Sequence, residues 1–403
     1  MTNHDGDVRQ RSSLEHTFAR WPHFAADERA AVDTVLASGN VNYWTGREGR
    51  EFECEYAAFL GVRHAIALAN GTLALELALR CWGIGPGDEV VVTPRSFMAS
   101  VSCVVLQGAI PVFADVDRDS GNLTAASIEA VLSTRTRAVI PVHLAGWPCD
   151  MGPIMELARA HGLRVLEDCA QAHGARYHGV EVGSLGHAGA FSFCQDKIIT
   201  TAGEGGLLAT DDHELWRAAW AFKDHGKDWD AVYGRSHPPG FRWLNESFGT
   251  NWRLTEVQAA VGRLQLLKLP DWHRIRARNA LRYLDAFERL TAIRTPLPAA
   301  GLEHAWYKLH VYVLPEALKT GWSRDRVMNE INARGVPCFV GSCSEIYQEK
   351  AFDRPGLRPR HRLPVARELG ETSLMFLLHP TLSEAAVVRM ADVAADVIES
   401  ASR

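Results

Sequence analysis

The sequence predicts an α/β protein, with a mostly parallel sheet covered on both faces by helices and a smaller α+β unit after it. Three observations carry this. From residue 65 onward, short apolar runs alternate with stretches of helical period. The runs are almost unbroken, as strands buried on both faces require, rather than alternating apolar and polar. Finally, a chain of 403 residues is long enough for two units with separate cores.

In chain order, residues 1–20 begin polar and read as a flexible tail, with no apolar stretch that would make a secretory leader. Residues 21–60 carry helical spacing (Val32, Val35, Leu36, then Phe52, Tyr56, Phe59), interrupted by a Gly/Asn/aromatic loop over 39–46. That loop is as compatible with a site wall as with a plain connector. The runs AIAL, EVVVT, IPVFADV, AVIPVHL, RVLED, AFSF and GGLLAT follow as seven strands. Helices are expected between most of them, at 72–82, 97–107, 124–133 and 151–161. Residues 255–290 read as one long helix, with Thr255 as its N-cap and a break or kink at Pro270. Beyond it come a strand at 311–314, a helix at 323–334 and a last amphipathic helix at 383–400. The large unit is therefore placed at 21–265 and the small one at 266–403.

Composition narrows the function. A formal charge of -5, with arginines scattered among acids, argues against a dedicated nucleic-acid or membrane surface. No apolar run approaches the roughly 20 residues that span a bilayer. The eight cysteines form no CxxC pair, and most lie in apolar segments. These features fit a reduced, cytoplasmic protein.

The chemistry concentrates in residues 165–208. Asp168 ends one strand, Ser192 ends another, Lys197 follows it, and the turn Gly203-Glu204-Gly205-Gly206 comes next. A lysine just after an apolar strand, with an aspartate about thirty residues earlier in the same position, suits a Schiff-base enzyme. The lysine supplies the amine, and the carboxylate keeps the pyridine nitrogen of pyridoxal phosphate protonated. In apolar surroundings the charged form of the lysine is disfavoured, which helps it act as nucleophile and base. Gln171, three residues past Asp168, is within reach of the ring hydroxyl. His173 reads equally as a partner orienting Asp168 or as a satisfied buried histidine. Upstream, Asn70-Gly71-Thr72 leaves a strand and opens a helix, where backbone N–H groups and a hydroxyl suit a phosphate. Alone, that triplet reads first as a helix cap on Thr72; beside the lysine site it reads as a phosphate cradle. Phe97 opens the next helix, either to stack on a flat ring or to fill a core. Asn251 lies in a loop entering the long helix.

Taken together, the motifs NGTLALELAL, GIGPGDEVVVTP, GAIPVFADVD, PVHLAGWPCDM, EDCAQAHGA, FSFCQDK, GEGG and NWRLTEVQAAVGRLQ resemble the DegT/DnrJ/EryC1/StrS aminotransferases, over about residues 28–400. The resemblance implies fold type I of the pyridoxal 5'-phosphate-dependent transferases: a mostly parallel seven-stranded sheet in the large domain and a smaller C-terminal α+β domain. It implies a homodimer with shared active sites. By position, Lys197 resembles the lysine that carries the cofactor, and Asp168 the partner of the ring nitrogen. Gln171 resembles the residue near the ring oxygen, Gly71, Thr72 and Ser192 the phosphate ligands, and Phe97 the stacking aromatic. Asn251 resembles the asparagine that reaches the phosphate of the neighbouring subunit. No metal is implied.

The implied reaction moves an amino group from an amino acid, glutamate being the family's usual donor, to a nucleotide-linked keto-deoxyhexose. The product is an amino sugar for a polysaccharide, lipopolysaccharide or natural product. An aminocyclitol aminotransferase and a dehydratase on the same fold are the nearest alternatives; a non-catalytic, cofactor-binding regulator is one of another class. Three segments depart from the family pattern. Gln195-Asp196 stand where many members have a Tyr-Pro-like pair, residues 341–345 (GSCSE) replace a PxH segment, and 224–249 is longer than typical.

Overall fold

The computed structural model describes residues 18–237, 243–354 and 356–403. Residues 1–17 of the expected tail, and part of the long 224–249 segment, lie outside these. The central sheet has seven strands in the order β1-β9-β8-β5-β4-β2-β3. They are β1 (His64–Leu68), β2 (Glu89–Val92), β3 (Ile110–Phe113), β4 (Thr136–Ile140), β5 (Arg164–Asp168), β8 (Ala188–Ser192) and β9 (Gly206–Thr210). Strands β3, β2, β4, β5 and β8 run parallel, and β9 lies antiparallel between β8 and β1. Between β5 and β8 come the short strands β6 (Arg176–Tyr177) and β7 (Val180–Glu181), which pair antiparallel.

The apolar runs explain the sheet. Val90 and Val92 pack into one core with Ile140, Leu166 and Leu208. Val91 points the other way, into a second core with Val139, Val165 and Ile154. Both faces are buried, so positions of either parity are mostly apolar, and a buried charge such as Glu167 in β5 is held by hydrogen bonds to His143 and to the Gly183, Leu185 and Gly186 N–H groups.

The expected helix at 151–161 forms as Met151–His161. The one expected at 97–107 starts only at Ala99, leaving Phe97 outside it, and that at 124–133 is confined to Ala125–Glu129. The long helix Glu256–Phe287 begins at a capping box of Thr255 and Gln258 and runs through Pro270 without a break. Packing on both of the units it joins holds it helical where propensity alone would interrupt it. Its first half contributes Ala259, Leu266 and Leu269 to the large unit's core. Its second half contributes Ala280, Tyr283 and Phe287 to the core under a second sheet.

That second sheet is antiparallel and four-stranded, in the order β10-β12-β14-β13. It comprises β10 (Ile293–Arg294), β12 (Lys308–Val313), β13 (Cys338–Phe339) and β14 (Ser373–Leu377), while β11 (Leu302–Glu303) pairs antiparallel with β6. The helices Arg324–Ala333 and Glu384–Ala401 supply Val327, Ile331, Met390 and Ile398 to its core. Among the described residues no helix is long and apolar enough to cross a membrane, and all eight cysteines are free.

A buried ion pair fixes the large unit's flank. Lys223, fully buried, donates to Glu53 at 2.9 Å. Glu53 also accepts from the Ala67 N–H (2.8 Å) and the Tyr43 hydroxyl (3.0 Å). The adjacent Asp224 accepts from Trp44, Lys227 and Arg253. These contacts hold the 39–46 loop through Tyr43 and Trp44. Replacing Glu53 with Gln should leave the Lys223 charge buried without its counter-ion and lower stability by about 3 kcal/mol in urea denaturation.

Candidate active site

The phosphate-cradle triplet is built by close packing. Asn70 caps the helix Gly71–Cys81, its side chain accepting from the Leu73 N–H at 3.1 Å. The cap is therefore Asn70 and not Thr72, and the Thr72 hydroxyl has no partner among the described residues. Ser192 at the end of β8 and Leu68 at the end of β1 both pair with Gly206. A Cβ on Gly71 would lie 2.6 Å from Ser192 Cβ, and one on Gly206 would lie 2.2 Å from the Asn70 carbonyl carbon. Only glycine permits these approaches. They draw the helix start, the end of β8 and the start of β9 to one point.

Asp168 ends β5 opposite Ala190, two residues before Ser192. It is buried, and its oxygens accept from the Ser100 hydroxyl (2.7 Å) and the Ala170 N–H (3.1 Å). Burial pushes its carboxyl above the usual range; these two donors and the charges of Lys197 and His143 oppose that rise. His173 does not orient it. Its ring meets the Tyr56 hydroxyl at 2.7 Å and the Ser192 carbonyl at 2.9 Å, so the satisfied-histidine reading holds. Gln171 accepts the Ala145 N–H at 2.7 Å through its side-chain oxygen, which leaves the amide nitrogen for the cavity.

A cavity of about 1250 Å³ lies between the two sheets, and Lys197, Gln171 and Phe97 line it. The Lys197 side chain is 14% exposed. Phe97 is 69% exposed, so it is not the core phenylalanine that composition favours but an aromatic face on the cavity wall. Asp168, Gly71, Thr72 and Ser192 are not on this wall; they lie at or just past the tips of β5, β8 and β1. Asn251 stands apart, exposed, on a loop paired with Asp224.

Sequence reasoning missed several neighbours. The Trp21 indole donates to the Lys197 carbonyl at 2.9 Å, and the Thr381 hydroxyl donates to the Arg20 carbonyl at 3.0 Å. Residues 18–21 thereby become part of the cavity wall, although they fall in or beside the stretch expected to be a tail. The isolated Trp21-Pro22 at the end of a polar segment was the one available signal. Ser100, the hydroxyl on Asp168, had none.

These residues suit pyridoxal phosphate. A buried carboxylate bound so far by neutral donors can face a ring nitrogen, an amine shares the cavity with an exposed aromatic face, and a glycine-tight helix start can take a phosphate. Comparison with known proteins agrees. The sequence profile of the DegT/DnrJ/EryC1/StrS aminotransferase family matches residues 22–394. The chain belongs to this family. Its members use pyridoxal phosphate, and the chain is a PLP-dependent aminotransferase of the corresponding fold. It is 37% identical over 354 residues to UDP-N-acetyl-3-dehydro-α-D-glucosamine 3-aminotransferase of Acidithiobacillus ferrooxidans, covering 88% of this chain and 89% of that one. It is also 37% identical, over 394 residues, to GDP-perosamine synthase of Caulobacter vibrioides (94% and 97% covered). The solved structure of an aminotransferase from Psychrobacter cryohalolentis superposes with a TM-score of 0.94 at 56% identity, covering 95% of this chain and 99% of that one.

Two buried histidines make the fold acid-sensitive. Burial holds His173 and His379 down to about 3, against 6.5 when unfolded. Both are neutral in the fold, so the stability they contribute is complete above pH 6.5 and is lost as pH falls toward 3. Each should cost about 1.4 kcal/mol per pH unit within that window. Urea midpoints measured at pH 7.5, 6.5, 5.5 and 4.5 should be level at first and then fall.

Proposed function

We propose that this chain transfers the amino group of an amino acid, with glutamate as donor, to the ketone of a nucleotide-linked keto-deoxyhexose, forming an amino sugar. One observation carries the reading: a single cavity presents the Lys197 amine beside an exposed aromatic face, at the mouth of strands whose tips hold the buried Asp168. Its size, about 1250 Å³, accommodates a substrate larger than an amino acid. The relatives named for UDP- and GDP-linked sugars support that substrate class.

When bound, pyridoxal phosphate supplies the electron sink that allows a C–N bond to be made and broken next to its ring. Asp168 would hold the proton on the ring nitrogen, with Ser100 and Ala170 sustaining its charge. The Gln171 amide nitrogen would be available to the ring hydroxyl, and Phe97 would offer an aromatic face to the ring. Gly71, Thr72 and Ser192 would hold the phosphate. Lys197 would be the attachment point; once released, its Nζ would carry a proton from the donor's α-carbon to the cofactor in one half-reaction and from the cofactor to the product carbon in the other. Two half-reactions sharing one site give ping-pong kinetics.

Asn251, exposed on its own protomer, completes the site of a second copy in a homodimer. We place the unit boundary near residue 265, inside the long helix, and the protein in the cytoplasm.

Lys197→Ala should abolish the visible absorbance of the attached cofactor and lower kcat by at least about 10²–10⁴-fold with glutamate and a panel of nucleotide keto-sugars. A variant with the wild-type band and full turnover would sink the assignment.

A further inference from the structure

The residue before Lys197 departs from the family pattern, and the structure gives it a setting of its own. Asp196 Oδ1 lies 3.7 Å from Lys197 Nζ. Its other oxygen accepts a short hydrogen bond from the Tyr307 hydroxyl. The Tyr307 ring centroid is 5.3 Å from the same Nζ, so carboxylate and aromatic flank the amine together.

Tyr307 itself is rigidly held. It is 5% exposed; its N–H donates to the Ala145 carbonyl at 3.0 Å, and its carbonyl accepts from Arg276 at 3.3 Å. On the other side, Trp21 holds the Lys197 carbonyl. Tyr307 leads into β12, so the contact joins the small unit's sheet to the lysine loop.

We propose that Asp196, fixed by the Tyr307 hydroxyl, is a positioning residue for Lys197: its carboxylate holds Nζ against one wall of the cavity, whether Nζ is joined to the cofactor or released from it. This rests on the function proposed above. It assigns a task to a side chain that motif matching leaves without one, and it places the proton that Nζ carries between half-reactions.

The surrounding charges are consistent with this task. Burial pushes Asp196 up, but Lys197, the Tyr307 hydroxyl and Lys308 outweigh it and keep its carboxyl below the usual range. Burial, and then Asp196, raise Tyr307 well above its ordinary value, so it remains a donor at neutral pH. The other groups whose charge is felt here are Asp168, His173 and Cys194, which sense Lys197, and Arg276, which acts on Tyr307. Lys308 lies 4.7 Å from the Tyr307 ring centroid, and the Cys194 thiol donates to Glu204. Of the carboxylates among these, Asp196 is the one in ion-pair contact with Nζ.

The test is the pH dependence of the visible absorbance of the holoenzyme, followed from pH 5 to 10. Removing the negative charge destabilises the protonated nitrogen, so Asp196→Asn should lower the midpoint by about one pH unit. Tyr307→Phe keeps the carboxylate's charge but removes the hydroxyl that fixes it, so its midpoint should fall by less than that of Asp196→Asn. An Asp196→Asn midpoint at or above wild type, or a Tyr307→Phe midpoint that does not fall, would overturn the proposal. Failure of the underlying function is distinct, because the wild-type protein would then show no such band.

Discussion

A carboxylate taken out of water at the tip of a central strand is the constraint around which this molecule is arranged. Asp168 sits where β5 ends, between β4 and β8, and burial works against its charge. Ser100, from the helix that follows β2, and the Ala170 N–H satisfy part of its hydrogen-bonding capacity. An unpaired carboxylate in such a place is costly, and a cationic ring nitrogen is the partner that would compensate it. Fold and cofactor are coupled through that one charge: the sheet brings it to the crevice beyond the strand ends, where open α/β sheets bind their ligands.

The same crevice depends on two contacts with no room for a side chain. Gly71 against Ser192, and Gly206 against Asn70, let a helix start sit directly on two strand ends. The amine enters from the loop that joins those strands, and residues from far along the chain fix its position. Trp21 bonds the lysine's carbonyl, Asp196 faces its nitrogen, and Tyr307 holds Asp196. Arg20 and Thr381 stitch the N-terminal segment to the small unit. The lysine is thus gripped from both units, which is how a two-layered architecture defines a single reacting atom.

Much of this was legible in the residues. The seven strands were readable because burial on both faces forces unbroken apolar runs, and Val90, Val91 and Val92 serve two cores in turn. The strand-end positions of Asp168 and Ser192, with Lys197 just beyond, were readable from the same apolar runs. What could not be read were pairings made only by folding: Ser100 with Asp168, Trp21 with Lys197, Tyr307 with Asp196, separated by 68, 176 and 111 residues. The role of His173 stayed open for the same reason, since its partners Tyr56 and Ser192 come from other elements. Local rules also failed where packing overrode them, at Pro270 inside the long helix and at Phe97, which lies outside its expected helix and faces the cavity.

Lys308 and Lys350 line the same cavity as Lys197, so which of the three amines carries the cofactor can be checked chemically. The most direct measurement is to treat the cofactor-loaded enzyme with borohydride, digest it and locate the modified lysine by mass spectrometry. The account predicts the label on Lys197; a label on Lys308 or Lys350, or on no lysine at all, would contradict it.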